Sequence, residues 1–574
     1  MKSLLCIVLL VFCFSVRAQD LEQLGKKDMV KVGGGVGWNM SANMVDDQKQ
    51  TRDPFTWVAT GNLNFTVLGV SLPFTYSITN RNSSYTQPFN MTALHPSYKW
   101  FKSHIGITSM SFSPYTYGGL NFAGAGVEMT PKKWRIKAFG GRLKKAVEYD
   151  AVANNVNTVS YKRMGGALSV GYENKGYGAT LIILKASDNP TSLQYTSPNL
   201  QLYPMDNLVT SVQAKAPFLK FFDLQVEYAN SLLTRNVLLT GNDNYNANFF
   251  ERTTRGNSST VSKNAYNGAL NFRAKWCSVA LKYERVDPDY MTLGALFFNN
   301  DLENYTIAPM FNLLNGKLTI NANTGFQRNN LSKDKATQLK RWVGNISVSG
   351  QPFKNFTTSV NYSNFSTFSR RNPAADPYYN PLFDTMNVYQ LSQSFTAMAS
   401  YGFGTENKKT VTGNYVFSQS QNITGSLPDA AAFGFNVSGM DEPANVHTAM
   451  AAFNVQFKQL EMGLSTTVNY NQTEVMDIRS EYIGPGINLQ KKLWKKKLAT
   501  NLGAIYNQQY TNGSLASHVM NWRIGANMSP ELWDKKYGKI NLALNANYAH
   551  RFAIVNGALA PKNLTIVFNL NYSF

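Results

Sequence analysis

Side chains in this sequence alternate between apolar and polar over stretches of about ten residues. From Phe55 to Val67 the odd positions are apolar or small, whereas most even positions are Thr or Asn. The pattern recurs from Ile540 to Tyr548 and from Met462 to Tyr470. Because successive side chains of a β-strand point to opposite faces, a period of two predicts strands with one apolar and one polar face.

The amino-acid composition indicates that the apolar face of these strands contacts lipid. Hydrophobic residues make up 43% of the chain and charged residues only 16%, against roughly 25% charged residues in soluble domains. Beyond residue 18, however, no run approaches the ~18 to 20 consecutive apolar residues that a membrane helix needs. Only helices and closed barrels satisfy every backbone polar group inside hydrocarbon. The sequence therefore predicts an all-β fold, a transmembrane antiparallel up-and-down β-barrel.

A soluble β-sandwich is the alternative, since its strands also alternate. The polar face of a sandwich carries many Lys and Glu residues, however, and its strands are typically about five or six residues long. The polar positions here are mainly Asn, Ser and Thr, which favours the barrel.

The N-terminus has the pattern of a secretory signal. Lys2 precedes an apolar run from Leu4 to Val16, and Ala18 supplies a small residue for cleavage. We expect a signal peptide over residues 1–18, a short periplasmic segment over 19–28, and the barrel over 29–574. Lipid attachment at Cys13 is disfavoured because bulky residues precede it. Removal of the signal would leave Cys277 as the only cysteine, so no intramolecular disulfide is expected.

The C-terminal strand carries an expected assembly signal. Apolar residues alternate from Leu564 to Phe574, and Tyr572 and Phe574 end the chain. This resembles the terminal strand by which the barrel assembly machinery recognises outer-membrane barrels. The expected location is therefore the bacterial outer membrane, with its lipids and that machinery as partners.

Turn signals give the strand number. Asn315-Gly316 separates two alternating runs and predicts a two-residue type I′ hairpin. A turn over Trp100 to Ser103 divides the stretch from Phe89 to Phe112 into two strands. Short connections alternate with long polar ones, which in outer-membrane barrels face the periplasm and the exterior respectively. The count is about 26 strands, an even number.

Several segments resemble motifs of poorly characterised Bacteroidetes outer-membrane barrels. They are Pro96–Trp100, Ser111–Thr116, Gly124–Glu128, and Tyr482–Gly486 followed by the lysine-rich stretch Leu489–Lys497. The resemblance implies fold and location, but no shared activity. The chain departs from TonB-dependent transporters of similar strand number, because only about ten residues lie between the signal and the first strand. No N-terminal plug domain is expected.

Nothing in the sequence predicts catalysis. Barrel hydrolases need a histidine with acidic or serine partners near one rim, and no motif links the five histidines to a nucleophile: His95, His104, His447, His518 and His550. No CxxC or HxxxH spacing predicts a metal site. We expect no enzyme activity, no cofactor, no metal and no nucleic-acid partner.

The net charge of +21 raises the question of basic residues in the lumen. Six basic residues have inward parity by the alternation: Arg135, Lys137, Arg163, Arg273, Lys275 and Lys282. Such residues would favour anionic solutes. Alternatively, they pair with lumenal carboxylates such as Glu227, Glu284 and Glu461.

A barrel of this size must be occluded. Barrels of 16 to 18 strands already leave a water channel, so about 26 strands require a filling. The chain's own loops could supply it, of which 235–264 is the longest, or a partner lipoprotein or plug protein could. The sequence thus favours a transport or secretion channel for a large or anionic substrate. A structural subunit of an outer-membrane assembly and a barrel hydrolase are the alternatives.

Overall fold

The computed structural model describes thirteen stretches of the chain. They are residues 30–45, 53–80, 90–149, 159–194, 202–239, 256–295, 299–333, 340–369, 388–424, 443–475, 477–529, 538–552 and 562–574. The predicted signal peptide and periplasmic segment lie outside these residues. Among the described residues, no helix is long and apolar enough to span a membrane.

Strands dominate the described residues. In chain order they are β1 Val30–Val45, β2 Phe55–Val67, β3 Val70–Thr79, β4 Met91–Leu94, β5 Ser97–Tyr98, β6 Phe101–Ser109, β7 Tyr117–Gly118, β8 Asn121–Met129, β9 Trp134–Lys144, β10 Arg163–Asn174, β11 Tyr177–Asp188, β12 Asp206–Phe218, β13 Phe222–Thr234, β14 Thr260–Arg273, β15 Cys277–Val286, β16 Gly294–Ala295, β17 Leu302–Leu313, β18 Leu318–Arg328, β19 Lys340–Gly350, β20 Phe356–Ser369, β21 Val388–Phe403, β22 Lys408–Thr424, β23 Ala444–Phe457, β24 Met462–Val475, β25 Ile478–Leu493, β26 Leu498–Thr511, β27 Ser514–Met528, β28 Lys539–Arg551 and β29 Asn563–Ser573. Among the described residues, a single-turn 3-10 helix covers Pro190–Ser192, and Leu314–Gly316 forms a tight turn with non-helical backbone angles at Asn315.

The sheet closes on itself. Apart from β7 and β16, each strand pairs antiparallel with its neighbours along the chain, and β29 pairs with β1 from Gly35 opposite Ser573 to Val45 opposite Asn563. The short β4 and β5 are two parts of one interrupted strand, since both pair with β3 and β6. The result is a closed barrel of 26 strands. The predicted fold and strand number are confirmed, and the two-sheet sandwich is excluded.

The two faces of the wall differ as the alternation predicts. On β27, Ile524 is 57% exposed, and on β28 Leu544 is 48% exposed. The residues next to them in sequence, Gly525 and Asn545, face each other on the opposite side of the sheet. A soluble protein rarely leaves a continuous apolar surface of this kind in water. In a bilayer the same surface contacts hydrocarbon, as the wall of a transmembrane barrel does.

Aromatic pairs lie on the outer face near both ends of the barrel. Near the end that holds the chain termini, Trp134 packs edge-on against Tyr172, with ring centroids 5.2 Å apart. Near the opposite end, the ring centroids of Tyr283 and Tyr305 lie 5.0 Å apart. Rings that are apolar on their faces and polar at one edge suit the boundary between hydrocarbon and water.

Connections at the two ends differ in length. At the end with the termini, hereafter the turn end, connections have two to five residues, apart from 529–538. At the other end, hereafter the loop end, most are longer. The predicted two-residue hairpin at Asn315-Gly316 is wrong. Leu313 pairs with Leu318, and the four-residue turn between them holds Leu314, Asn315 and Gly316 at φ values of 52°, 56° and 82°. The left-handed conformation expected of Asn-Gly is present, but it begins one residue earlier.

Candidate functional site in the barrel lumen

Two connections from the loop end fold back inside the barrel. The first interior segment, residues 110–120, joins β6 to β8, and the second, residues 287–295, follows β15. They meet through β7 and β16, which pair in parallel with Gly294 opposite Tyr117. Thr292 donates its hydroxyl to the Thr116 carbonyl at 2.6 Å. The segments therefore support each other as well as contacting the wall.

Polar contacts anchor the first interior segment to inward-facing wall residues. The Tyr115 hydroxyl donates to Glu284 Oε1 on β15 at 2.6 Å and accepts from Asn267 Nδ2 on β14 at 3.1 Å. Ser113 donates its hydroxyl to Glu227 on β13. These contacts use partly buried polar residues of the wall to hold the segment in place.

Similar contacts anchor the second interior segment. The Leu293 amide donates to Asn207 Oδ1 on β12 at 3.0 Å, and the Ser231 hydroxyl on β13 donates to the Met291 carbonyl at 2.5 Å. The Tyr290 hydroxyl donates to the Tyr115 carbonyl at 2.8 Å, which links the two segments again.

An apolar core lies between the interior segments and the inner wall. Tyr117, Tyr290 and Leu293 have no exposed surface. Tyr117 and Leu293 pack with wall residues of β8 to β13: Phe122, Phe139, Leu143, Ala167, Leu184, Ala186, Val209 and Leu233. Burial of a side chain of this size contributes about 1.5–3 kcal/mol. The segments are thus packed as part of the folded core, on one side of the lumen.

The tyrosines of the interior segments stay protonated. Burial, and next the negative charge of Glu284, raises the pKa of Tyr115 well above its usual value. Burial also raises the pKa of Tyr117 and, together with Glu227, that of Tyr290. At neutral pH each therefore remains a neutral hydroxyl that can donate the hydrogen bonds described above.

Three of the six predicted lumenal basic residues have a carboxylate partner. Arg135 Nε lies 3.3 Å from Glu173 Oε2. Arg163 binds Asp188 through two contacts, Nε–Oδ1 at 2.7 Å and Nη2–Oδ2 at 3.0 Å. Arg273 Nη2 lies 2.9 Å from Asp223 Oδ1. These acidic partners differ from those considered in the sequence analysis.

The other three basic residues are placed differently. Lys137 donates to the Ser111 carbonyl at 3.2 Å and so contacts the first interior segment. Lys282 is exposed and shares the strand face of Glu284. Lys275 lies in the turn between β14 and β15, so the strand alternation assigns its side chain to neither face.

The histidines form one pair in direct contact, and His518 and His550 both pack against Phe552, with ring centroids 4.8 and 4.7 Å from that ring. His95 Nδ1 and His104 Nδ1 are 2.9 Å apart, and His104 Nε2 lies 3.1 Å from Glu128 Oε1. His447, His518 and His550 each lie within hydrogen-bond distance of a tyrosine hydroxyl. Among the described residues, no group of three or more His, Cys, Asp or Glu residues could hold a metal ion.

The predicted assembly signal lies at the closure of the barrel. The rings of Tyr572 and Phe574 are stacked, with centroids 5.3 Å apart. Phe574 also exchanges two backbone hydrogen bonds with Gly34 of β1, each 3.0 Å long. These residues take part in the seam between the first and last strands.

Comparison with known proteins gives similarity of architecture only. No family model and no curated protein matches the sequence. Among solved structures, the P pilus usher (PapC) translocation pore is 9% identical with a TM-score of 0.43, over 95% of this chain and 100% of that one. The copper transporter OprC is 9% identical with a TM-score of 0.40, over 95% and 80%. The FrpB iron transporter from Neisseria meningitidis (F5-1 variant) is 9% identical with a TM-score of 0.38, over 94% and 82%.

Proposed function

We propose that this protein is an outer-membrane channel for the transport or secretion of a large substrate, with a lumen narrowed by its own interior segments. The observation that carries the proposal is the packing of residues 110–120 and 287–295 against the inner wall. The contacts described above join both segments to β8–β15. The two segments narrow the lumen from one side. An open barrel of 26 strands would leave a wide aqueous hole in the membrane, so some narrowing is required.

Export and location belong to the same proposal. A signal peptide over residues 1–18 and assembly through Tyr572 and Phe574 would bring the chain to the bacterial outer membrane, with the turn end in the periplasm. The apolar outer face supports a lipid environment. The narrower resemblance to Bacteroidetes barrels rests on the sequence motifs alone, of which Ser111–Thr116 falls in the first interior segment. A partner lipoprotein or plug protein would complete the occlusion.

The substrate is better described by size than by negative charge. Arg135, Arg163 and Arg273 each lie beside a carboxylate. Because paired charges produce a weaker field than isolated ones, the attraction for anions would rest mainly on Lys137 and Lys282. Anion preference therefore remains a secondary part of the proposal.

Conductance of the purified protein in planar bilayers tests the channel. We expect discrete steps that are larger than those of a 16-stranded porin under the same salt conditions. Weak anion preference is expected, measured as a small reversal potential across a salt gradient. Complete electrical silence of inserted protein would contradict transport and favour a structural subunit.

A further inference from the structure

The inner wall opposite the interior segments is lined by polar amide side chains, unlike the apolar wall against which those segments pack. On β23–β29 the inward-facing positions are rich in carboxamides, and we name this surface the amide face. Its amide residues include Asn454, Gln456, Asn469, Asn471, Asn488, Gln490, Asn501, Asn507, Asn521, Asn527, Asn541, Asn545, Asn547, Asn569 and Asn571. Away from the strand ends, Arg523 is the one charged residue at an inward position of these described strands.

Glycines shape the amide face. Gly525 lies between Asn501 and Asn545 on the neighbouring strands, and a Cβ atom at Gly525 would overlap with Asn501 Oδ1 and lie 2.8 Å from Asn545 Oδ1. A Cβ atom at Gly463 would likewise lie 2.7 Å from Gln456 Nε2. The side chains of Asn501, Asn545 and Gln456 therefore lie over glycines, along the wall.

The arrangement repeats across several strands. Asn507 covers Gly484, and Thr467 Oγ1 lies 2.9 Å from where a Cβ of Gly486 would be. Gly463, Gly484 and Gly525 are buried although they lie on a lumen wall. Because Gly in a strand interior often marks a close approach, the repetition produces a surface that is flat and rich in hydrogen-bonding groups.

A shallow cavity lies on this face near the turn end. Its volume is about 270 Å³, close to the lower end of the roughly 300–1,000 Å³ of small-molecule sites. Four amide residues line it together with three charged ones: Gln456, Gln490, Asn501, Asn527, Glu461, Lys491 and Lys492. The amide face thus includes a concave site as well as a flat one.

From this chemistry we infer that the amide face binds an uncharged, polyhydroxylated chain, that is, a neutral glycan. Carboxamides and hydroxyls each donate and accept hydrogen bonds, and so do the hydroxyls of a sugar. A neutral chain loses no charge solvation when it meets a wall that is almost free of charge. Many weak contacts along one chain add up to useful affinity. The inference rests on the proposed transport function and names its substrate class.

Calorimetric titration of the detergent-solubilised full barrel tests the inference without requiring conductance. The probe is an unbranched neutral glucan fragment, and the control ligand is polyethylene glycol of equal hydrodynamic size, which lacks the hydroxyls. We expect binding of the glucan only. A Q490L/N501L variant should bind about tenfold more weakly, since about two hydrogen bonds are lost.

A second variant keeps the test independent of that pair. Gly525→Leu should displace the Asn501 and Asn545 side chains and weaken glucan binding as well. The control for added bulk is Gly413→Leu on the outer face of β22, where nothing lies within 4 Å of the added Cβ atom and affinity should not change. Equal binding of glucan and polyethylene glycol, or binding of an unstructured polypeptide in place of glucan, would overturn the inference. A conducting barrel without glucan affinity would refute this inference alone, whereas glucan affinity in a silent barrel would refute only the channel.

Discussion

Replacing Leu293 with Asp should increase the single-channel conductance several-fold. Leu293 has no exposed surface and packs with Tyr117 in the core between the interior segments and the wall. A carboxylate there would be buried without a partner, which is costly enough to displace the segment rather than be accommodated. Release of the segments would widen the lumen while leaving the hydrogen bonds between barrel strands intact. The measurement is the step size in planar bilayers, compared with the unchanged protein.

The matched control for this variant is Leu314→Asp. Leu314 is 61% exposed in a turn at the turn end, so the same substitution should leave the step size unchanged. A barrel that folds with Leu293→Asp and conducts like the unchanged protein would show that the interior segments do not limit the pore. Retained strand content by circular dichroism identifies variants that have folded.

Arginine at a lipid-facing position should destabilise the barrel far more than arginine at a neighbouring lumenal one. Ile524 lies on the outer face of β27, opposite Ala546 of β28, and Ile524→Arg should cost about 2–4 kcal/mol in free energy of unfolding, as for arginine near the bilayer midplane. Asn545→Arg, on the adjacent strand but facing the lumen, should cost less than about 1 kcal/mol because its charge stays hydrated. The measurement is reversible denaturant unfolding in lipid vesicles.

The two arginine variants control for each other, because they add the same side chain to paired strands. Similar losses in both would mean that the two faces do not differ in environment. A larger loss at Asn545 would reverse the assignment of the faces.

The barrel could be predicted from the sequence because its determinant is local. Alternation such as that from Phe55 to Val67 reports the environment of each strand without any knowledge of its partners. The up-and-down topology then follows, since sequential strands joined by short turns pair with each other. The length of the turn at Leu314–Gly316 could not be predicted. Asn315 and Gly316 adopt the left-handed conformation in the observed four-residue turn, as they would in a two-residue turn, so the Asn-Gly pair does not distinguish the two.

The interior segments could not be located from the sequence. Loop length pointed to 235–264, of which residues 240–255 lie outside the described residues. It did not point to the shorter segments 110–120 and 287–295, which narrow the lumen from one side. Their contacts join residues far apart in the chain, such as Tyr115 with Glu284. A signal was present, however: Tyr115, Tyr117 and Leu120 lie in a connection between strands, where exposed apolar residues would be unfavourable, and that predicts burial.

The amide face shows the same division between local and long-range information. The parity of Asn501, Asn545 and Gly525 could be read from the sequence, since each lies in an alternating run. Their alignment across three strands depends on register, and a shift of one residue would separate the amides from the glycine that they cover. That alignment became visible only in the structure.

Spin-label accessibility along β28 in lipid vesicles distinguishes a lipid-facing from a water-facing side of the wall. In a Cys277→Ser background, labels are attached one at a time at residues 541 to 547, and relaxation is measured with oxygen and with a water-soluble nickel complex. We expect a period of two, with Leu542, Leu544 and Ala546 more accessible to oxygen and Asn541, Asn545 and Asn547 more accessible to nickel. Uniform access of the nickel complex to all positions would contradict a barrel with lipid on one face and water on the other.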